Sequence, residues 1–523
     1  MADEDWLTLE SANGKYEDHN QEVQINSYNE EINDKSVDND VASPVSSPKR
    51  SCFTRRHVIV MGMIGIVVVI STAVGVSLAV RSPSSGSSPV TNGKNKMENS
   101  SISSNRVTAP TSAGAQYAGR PTSSPGPTSS NAFRVADIID GIARNGGNEF
   151  KDSSSYQSRA KQWVLTQDLP VSDGSSMTME QQATQLYVLA CIFYSTFSVK
   201  SYWTDANYGP DVTIPGWYSS RGWLGTAEDV CSNWHGISCN DQGRILKIEL
   251  FTNGLTGIFP PETALLHETL NYIDLYDNIL HNVGDEGNNF LGELTNLEYL
   301  FLGSTFFEYD GVPTVLGKLT ALIELDFSES LYFGKLDGLA FSTLSNLRYL
   351  AMDKNAYNSP IPIELAQLPN LEFLYADFCF LEGNFDFITS MPKIVELWVH
   401  DNPNLKGPIP SGIGNMANLG SFSASHCGLT GMIPTEIGLA TNMIQIWLNG
   451  NSLTGEIPSE IANLVTMKVL NVQNNDLEGD MPSSICQKRR PFGRLEELGA
   501  DCDGAITCDE ECCTCCGDQC FEL

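Results

Sequence analysis

The sequence predicts an α/β solenoid, a stack of about ten coils in which each coil contributes one strand to a common sheet. The first observation is a pattern, LxxLxLxxN followed by LxGxIPxx, that recurs every 23 to 27 residues over residues 245–485. The second is an uncharged apolar segment of 23 residues, residues 58–80, which predicts a single transmembrane helix. The third is helical periodicity of apolar residues upstream of the first repeat, which predicts a helical N-terminal cap.

The repeats share a register that is read from their apolar residues. The first strand position is held by Ile245, Leu270, Leu297, Leu322, Leu347, Leu371, Ile394, Leu419, Met443 and Met467. Residues three and five positions later are also apolar, and we expect all three to point inward. Eight positions after the first stands a small residue that can form hydrogen bonds: Asn253, Asn278, Thr305, Ser330, Asn355, Cys379, Asn402, Cys427, Asn451 and Asn475. We predict that this column satisfies backbone carbonyls of the next coil, with Cys379 and Cys427 as reduced members.

The second half of several repeats reads GxIP, at residues 407–410, 431–434 and 455–458, with a variant at 479–482. This pattern resembles the plant-type leucine-rich repeats of receptor-like proteins and receptor kinase ectodomains, which implies a right-handed superhelix. The preceding residues 222–245 resemble the W...CxWxGVxC cap of the same family, which implies a disulfide between Cys231 and Cys239. The layout, with an anchor first and no kinase, is similar to that of algal, notably diatom, leucine-rich-repeat proteins.

Charge and hydropathy indicate the compartment. The formal net charge of −32 disfavours binding to nucleic acid. Basic residues flank the apolar segment unequally, with Lys49, Arg50, Arg55 and Arg56 before it and Arg81 just after it. The positive-inside rule therefore predicts a type II membrane protein, in the plasma membrane with its C-terminal ectodomain outside. Small residues recur every fourth position within the segment, at Ser71, Gly75 and Ala79, and such a stripe would allow a homodimer.

Composition divides the chain into six regions. We predict that residues 1–56 form a disordered acidic cytoplasmic tail, residues 57–80 the transmembrane helix and residues 81–130 a Ser/Thr/Pro-rich stalk. Residues 131–244 form the helical region and N-terminal cap, residues 245–485 the solenoid and residues 486–523 a cysteine-rich C-terminal cap. The N-glycosylation sequon begins at Asn99, so we expect glycosylation of the stalk and none of the solenoid.

Eight of the 14 cysteines lie in the last 38 residues: Cys486, Cys502, Cys508, Cys512, Cys513, Cys515, Cys516 and Cys520. An even number of cysteines in an extracytoplasmic tail favours disulfide bonds, although the sequence does not specify their pairing. Metal binding is the alternative. We disfavour it because no histidine lies nearby and the predicted compartment is oxidising, and we expect neither a metal nor a cofactor.

Residues between the inward positions of each strand face the predicted concave side of the sheet, and many are aromatic or acidic. The predicted ligand-binding residues are Tyr272, Tyr299, Phe301, Asp326, Tyr349, Asp353, Phe373, Tyr375, Asp377, Trp398, His400 and Trp447. We expect the aromatic side chains to be exposed in a stripe that runs from coil to coil, as in binding hot spots. Aromatic rings with carboxylates suit an extracellular peptide with basic groups, a protein or a glycan.

Motifs of a kinase, a phosphate-binding loop and a zinc protease are absent from the sequence, and we predict that the protein is not an enzyme. The sequence instead predicts a membrane receptor-like protein that binds its ligand on the concave sheet. Signalling would then require a membrane co-receptor or a kinase partner. The alternative is adhesion, in which the protein anchors the cell surface to a wall matrix or to other cells.

Overall fold

The computed structural model describes residues 129–169, 177–197, 216–281, 289–489, 493–502, 506–508, 512–513 and 515–516. All of these lie within the compact unit Tyr117–Leu523. The predicted tail, transmembrane helix and dimerisation stripe (Ser71, Gly75 and Ala79), and the stalk with Asn99 up to residue 128, lie outside the described residues. Among the residues that are described, no helix is both long enough and apolar enough to cross a membrane.

The main sheet contains one strand from each successive coil. Its strands, in spatial order, are Ile237–Cys239, Ile245–Glu249, Tyr272–Asp274, Tyr299–Phe301, Glu324–Asp326, Tyr349–Ala351, Phe373–Tyr375, Glu396–Trp398, Ser421–Ser423, Gln445–Trp447, Val469–Asn471, Glu497–Ala500 and Cys515–Cys516. The first pair is antiparallel and every later pair is parallel, with equivalent repeat positions in register. Spatial order follows chain order, as expected for a stack of coils that each contact only their neighbours.

Shorter strands and helical turns complete each coil. The shorter strands are Thr256–Ile258, Ile279–His281, Glu308–Asp310, Leu331–Gly334, Ala356–Tyr357, Glu382–Gly383, Asn404–Gly407, Gly428–Gly431, Ser452–Gly455, Asp476–Leu477, Gly479–Asp480 and Ile506–Thr507. The 3-10 helices are Asn148–Phe150, Ala227–Asp229, Pro261–Leu266, Asn289–Glu293, Thr314–Lys318, Gly338–Ala340, Phe385–Ser390, Ser411–Asn415, Thr435–Leu439 and Ser459–Asn463, and the short α-helices are Val230–Asn233, Ile363–Ala366 and Ser483–Cys486. The proline of each GxIP motif precedes a helical turn, because its fixed φ suits a helix start while it lacks an N–H to donate.

The core lies between the main sheet and the opposite side of the coils. In the repeat that begins at Leu347, the side chains of Leu347, Leu350 and Met352 are all fully buried. The same three positions are buried in the following repeat, at Leu371, Leu374 and Ala376. The register predicted from the apolar residues is therefore confirmed.

The polar column joins consecutive coils through backbone groups. The Asn402 side chain donates hydrogen bonds to the carbonyls of Ala376, Val399 and His400, and its Oδ1 accepts from the N–H groups of Cys379 and Leu381. Ala376, Cys379 and Leu381 belong to the preceding coil, so the predicted direction, toward the next coil, is wrong.

Cys379 and Cys427 occupy the same repeat position as Asn402 does in its own coil. Cys379 and Cys427 are buried thiols outside any disulfide, and their sulfur atoms lie 3.1 Å and 3.2 Å from the carbonyl oxygens of Met352 and Val399. Both cysteines are therefore reduced members of the column, as predicted.

Three helices precede the first coil and pack against it. They are α1 (Ser129–Gly141), α2 (Tyr156–Val164) and α3 (Met179–Thr196), and α3 begins with a capping box formed by Thr178 and Gln181. Apolar spacing predicted α1 and α3, but Phe133 of α1 is 73% exposed and does not join the core. Helix α3 approaches the first coil so closely that a Cβ at Gly257 would lie 2.3 Å from the Ser195 carbonyl oxygen. Glycine is also required there by a φ of 108°.

Polar contacts attach the helices to the coils. Tyr156 and Gln157 donate hydrogen bonds to the carboxylate of Glu262, which is 2% exposed. Burial raises the pKa of Glu262. Arg144 and Glu293 form a bidentate ion pair, in which the shorter nitrogen–oxygen distance is 2.5 Å. These contacts bind the helical region to the first and second coils.

The structure contains three disulfide bonds among the described residues. Cys231 pairs with Cys239, which confirms the pairing that the resemblance implied. In the C-terminal region the pairs are Cys486–Cys512 and Cys508–Cys513. The sulfur of Cys502 lies within 4.8 Å of those of Cys508 and Cys513. The side chains of Cys515 and Cys516, and the whole of Cys520, lie outside the described part, so their predicted disulfides stay predictions.

Candidate ligand-binding surface

The third and fifth residues of each repeat lie on the face of the main sheet opposite the core, called here the sheet face. The predicted ligand-binding aromatic residues occupy these positions, and strand register brings them together in groups. Tyr272 pairs with Tyr299, Phe301 pairs with Asp326, and Tyr375 pairs with Trp398. Residues 23 to 27 positions apart in sequence therefore become neighbours about 4.8 Å apart across the strands.

The first group, the N-terminal aromatic cluster, consists of Tyr272, Tyr299 and Phe301. The ring centroid of Tyr272 lies 5.5 Å from that of Tyr299 and 5.6 Å from that of Phe301. The Lys247 ammonium lies over the Tyr272 ring, 4.8 Å from its centroid. An aromatic ring on this face therefore already binds a cation through its π-system.

The second group, the central aromatic cluster, consists of Tyr349, Phe373, Tyr375 and Trp398. The Tyr349 ring lies 5.5 Å from Tyr375 and 6.4 Å from Phe373, and Tyr375 makes an edge-to-face contact with Trp398 at 5.2 Å. Ala351 stands opposite Tyr375 in the register, and its small side chain allows the two tyrosine rings to approach each other across it.

Hydrogen bonds hold the rings of the central cluster in place. The Tyr375 hydroxyl donates to Glu396 at 2.7 Å, and the Trp398 indole N–H donates to the Ser421 hydroxyl at 3.2 Å. A cluster whose rings are fixed in this way can bind a ligand with little further loss of side-chain entropy.

Carboxylates lie beside the central aromatic cluster. Asp326, Asp353 and Asp377 come from three successive coils and are 5%, 7% and 7% exposed. Asp326 accepts hydrogen bonds from the backbone N–H and the hydroxyl of Ser328. We define these three residues as the acidic group. Together with the aromatic clusters, it gives the sheet face both apolar and anionic contact area.

The members of the acidic group influence each other electrostatically. Burial, and then the like charges of Asp377 and Asp326, raise the pKa of Asp353 well above its usual range. Burial also raises the pKa of Asp377, although His400 opposes the shift. His400 Nε2 lies 3.6 Å from the Asp377 carboxylate, and its Nδ1 lies 3.3 Å from the Ser423 hydroxyl. Asp353 and Asp377 thus lie at a site that disfavours their ionisation.

Three expectations about exposure are wrong. Trp447, predicted to be an exposed contact residue, is only 8% exposed. Its neighbours in the register are Ser423 and Asn471, which are small and leave room for the indole to lie against the sheet. The rings of both clusters are partly buried because they pack on one another. The aromatic residues therefore form two clusters rather than the predicted continuous exposed stripe. His400 is likewise buried, at 9% exposure.

The structure adds residues that the prediction left out. Arg348 makes a two-pronged ion pair with Glu372, at 3.1 Å and 2.7 Å, along the edge of the central cluster. Lys354 forms an ion pair with Glu329 at 2.5 Å. Neither cation stands at the third or fifth position of its repeat, and the sequence does not show which carboxylate each one contacts.

The chain is similar to known proteins over part of its length. The family model described as Leucine Rich Repeat matches residues 442–464. The chain is 31% identical over 158 residues to the serine/threonine-protein kinase BRI1-like 1 of Arabidopsis thaliana, which covers 30% of this chain and 13% of that protein. It is 32% identical over 114 residues to receptor-like protein 36 of the same plant, which covers 21% of this chain and 16% of that protein. A crystal structure of a TDR receptor covers 45% of this chain and 40% of its own, at 27% identity and a TM-score of 0.43.

These observations define the kind of repeat. The chain contains leucine-rich repeats: the family model matches one of them, and the parallel ladder and the buried polar column continue along the described coils. Its repeats are of the plant type, and the predicted resemblance to plant receptor-like proteins is confirmed. The matched segments span less than a fifth of the length of BRI1-like 1 and of receptor-like protein 36.

Proposed function

We propose that this protein is a single-pass type II membrane receptor-like protein whose sheet face binds an extracellular peptide, protein or glycan. In this proposal the solenoid has about ten repeats in a right-handed, concave superhelix. The helices α1 to α3 cap its first coil, and signals pass through a membrane co-receptor or a kinase partner. No catalytic activity is part of the proposal. Similarity to receptor-like proteins and receptor kinases of plants supports a receptor role.

The central aromatic cluster carries the proposal. Four large rings from three successive coils contact one another on the face opposite the core, where the fold itself does not require them. The alternative explanation is that aromatic residues simply favour strands. This preference does not explain why a group of carboxylates lies beside the ordered rings, because carboxylates that are buried together reduce stability.

Substitution of the central cluster tests the binding surface. Tyr375→Ala and Trp398→Ala remove rings that lie outside the core, so we expect the fold to persist and ligand binding to fall by at least about tenfold. Binding is measured with cell-surface extracts from the source organism passed over the immobilised full-length protein. Trp447→Phe is the matched control, because this buried aromatic residue lies on the same face. Equal retention of extract components by the variants and the parent would contradict the assignment of the surface.

Membrane topology is tested separately with epitope tags at Met1 and Leu523. Antibody staining of intact cells should reach only the tag at Leu523. If it reaches only the tag at Met1, the repeats face the cytoplasm and the extracellular part of the proposal is wrong. Retention of the protein in a detergent-insoluble wall fraction, without a saturable soluble ligand, would favour adhesion instead.

A further inference from the structure

One nearly buried carboxylate on the sheet face has no hydrogen-bond partner among the residues that the structure describes. The side chain of Asp353 is 7% exposed, and no hydrogen bond to its carboxylate is formed by any residue that the structure describes. It faces like charges, with Asp377 on the next coil and Asp326 on the preceding one. A buried carboxylate in such a position costs stability unless a cation or a donor compensates it. Asp353 therefore requires an explanation beyond the fold.

Basic side chains of these coils are already paired with other carboxylates. Lys354 is adjacent in sequence, but its ammonium lies 2.5 Å from Glu329. The Arg348 guanidinium is held by both carboxylate oxygens of Glu372. His400 lies against Asp377 rather than Asp353. Asp326, Asp353, Asp377 and Glu329 are thus accompanied by Lys354 and, at Asp377, by His400, so acidic side chains outnumber basic ones on this part of the sheet face.

From this arrangement we infer that the acidic group is the subsite for an arginine side chain of a peptide ligand. The inference rests on the proposed function, and it specifies the chemistry of the ligand at that same surface. A guanidinium carries five N–H donors in a flat fork, so it can bridge Asp353 and a neighbouring carboxylate. Its face would stack on the ring of Tyr375, which stands in the next coil opposite Ala351, the sheet-face residue that precedes Asp353.

Two observations favour a guanidinium over other cations. Among the described residues, oxygen atoms of three acidic side chains nowhere converge within 4.8 Å, a spacing that would gather them on a single metal ion. A guanidinium spans a wider separation than one ion does. The other observation is Lys247 over Tyr272, because it shows that a ring on this face accepts a basic side chain. An arginine at the central cluster would repeat that contact and add charge-assisted hydrogen bonds.

A displayed library of random peptides of about twelve residues tests the inference, with the full-length protein as bait. Peptides that bind should be enriched in arginine at one position. Replacing that arginine with citrulline, which keeps the shape but removes the charge, should weaken binding by at least about tenfold. Against Asp353→Asn the arginine and citrulline peptides should bind equally. Asp476→Asn is the matched control, because Asp476 is exposed and lies off the main sheet.

The outcomes separate this inference from the function on which it rests. Peptides that lose binding to Tyr375→Ala but tolerate citrulline would overturn the arginine subsite and leave the binding surface intact. A requirement for calcium that is abolished by chelation and by Asp353→Asn would also overturn it, in favour of a metal. Peptides that bind the Tyr375→Ala variant as well as the parent protein, or a library with no enrichment, would overturn both. The melting temperature of each variant confirms that it is folded.

Discussion

The polar column allows a quantitative test of how the coils are joined. Asn402 is fully buried and makes five hydrogen bonds, three as donor and two as acceptor. The change Asn402→Ala removes all five without altering the backbone. The Val399 carbonyl keeps a contact with the Cys427 sulfur, and the His400 carbonyl keeps the Phe378 N–H.

Three backbone groups of the preceding coil lose the hydrogen bond that Asn402 supplied. They are the carbonyl of Ala376 and the N–H groups of Cys379 and Leu381. A buried polar group left unpaired costs about 1 to 3 kcal/mol, so the three together cost about 3 to 9 kcal/mol. A water molecule that enters the vacated space can replace some of the lost hydrogen bonds. We therefore expect the free energy of unfolding to fall by about 3 to 5 kcal/mol.

Denaturant unfolding and hydrogen exchange together measure this loss in the full-length protein. Because each coil contacts only its neighbours, faster exchange should be confined to about residues 371–427 and should spare the first coils. Asn404→Ala is the control, since Asn404 is exposed two residues further on and should change stability by less than about 0.5 kcal/mol. A loss below about 1 kcal/mol for Asn402→Ala, or faster exchange spread evenly over all coils, would refute the reasoning.

Two further predictions concern charge and covalent links. Because burial and the like charges of Asp377 and Asp326 raise the pKa of Asp353, the folded state holds this proton more tightly than the unfolded state does. Stability is therefore lost as pH rises from the unfolded pKa through the raised folded pKa. Asp353→Asn should stabilise the fold by about 1 kcal/mol near pH 7 and reduce the fall in melting temperature between about pH 5 and about pH 7. Replacing Cys231 and Cys239 together with Ala should cost about 2 to 3 kcal/mol, the chain-entropy value for so short a loop, measured by denaturant unfolding.

Controls distinguish these effects from nonspecific destabilisation of the fold. Asp476→Asn removes an exposed carboxylate and should leave the pH dependence of the melting temperature unchanged. An unchanged pH profile in Asp353→Asn would show that the like charges do not affect stability. For the disulfide, the parent protein treated with reductant should have the same stability in its N-terminal region as the double alanine variant. Equal stability with and without the Cys231–Cys239 bond would contradict its role in holding the cap.

Much of the fold could be predicted because each repeat encodes the same local rule. Apolar residues such as Leu347, Leu350 and Met352 are buried wherever the pattern places them, since the coils impose one register on every strand. The Cys231–Cys239 pair followed from the resemblance to the plant-type cap. The pairs Cys486–Cys512 and Cys508–Cys513 could not be predicted, because they depend on the path of a tail that has no repeat pattern.

The sequence by itself thus determined the solenoid, its register and the set of side chains that lie opposite the core. Only the tertiary structure decided which of those side chains contact each other and which remain accessible. Trp447 lies against its small neighbours, whereas Tyr375 and Trp398 form part of an ordered cluster. Asp353 is enclosed with other carboxylates although nothing in its own repeat indicates it. The physical reason is that burial on the sheet face depends on side chains one coil away, about 25 residues distant in sequence.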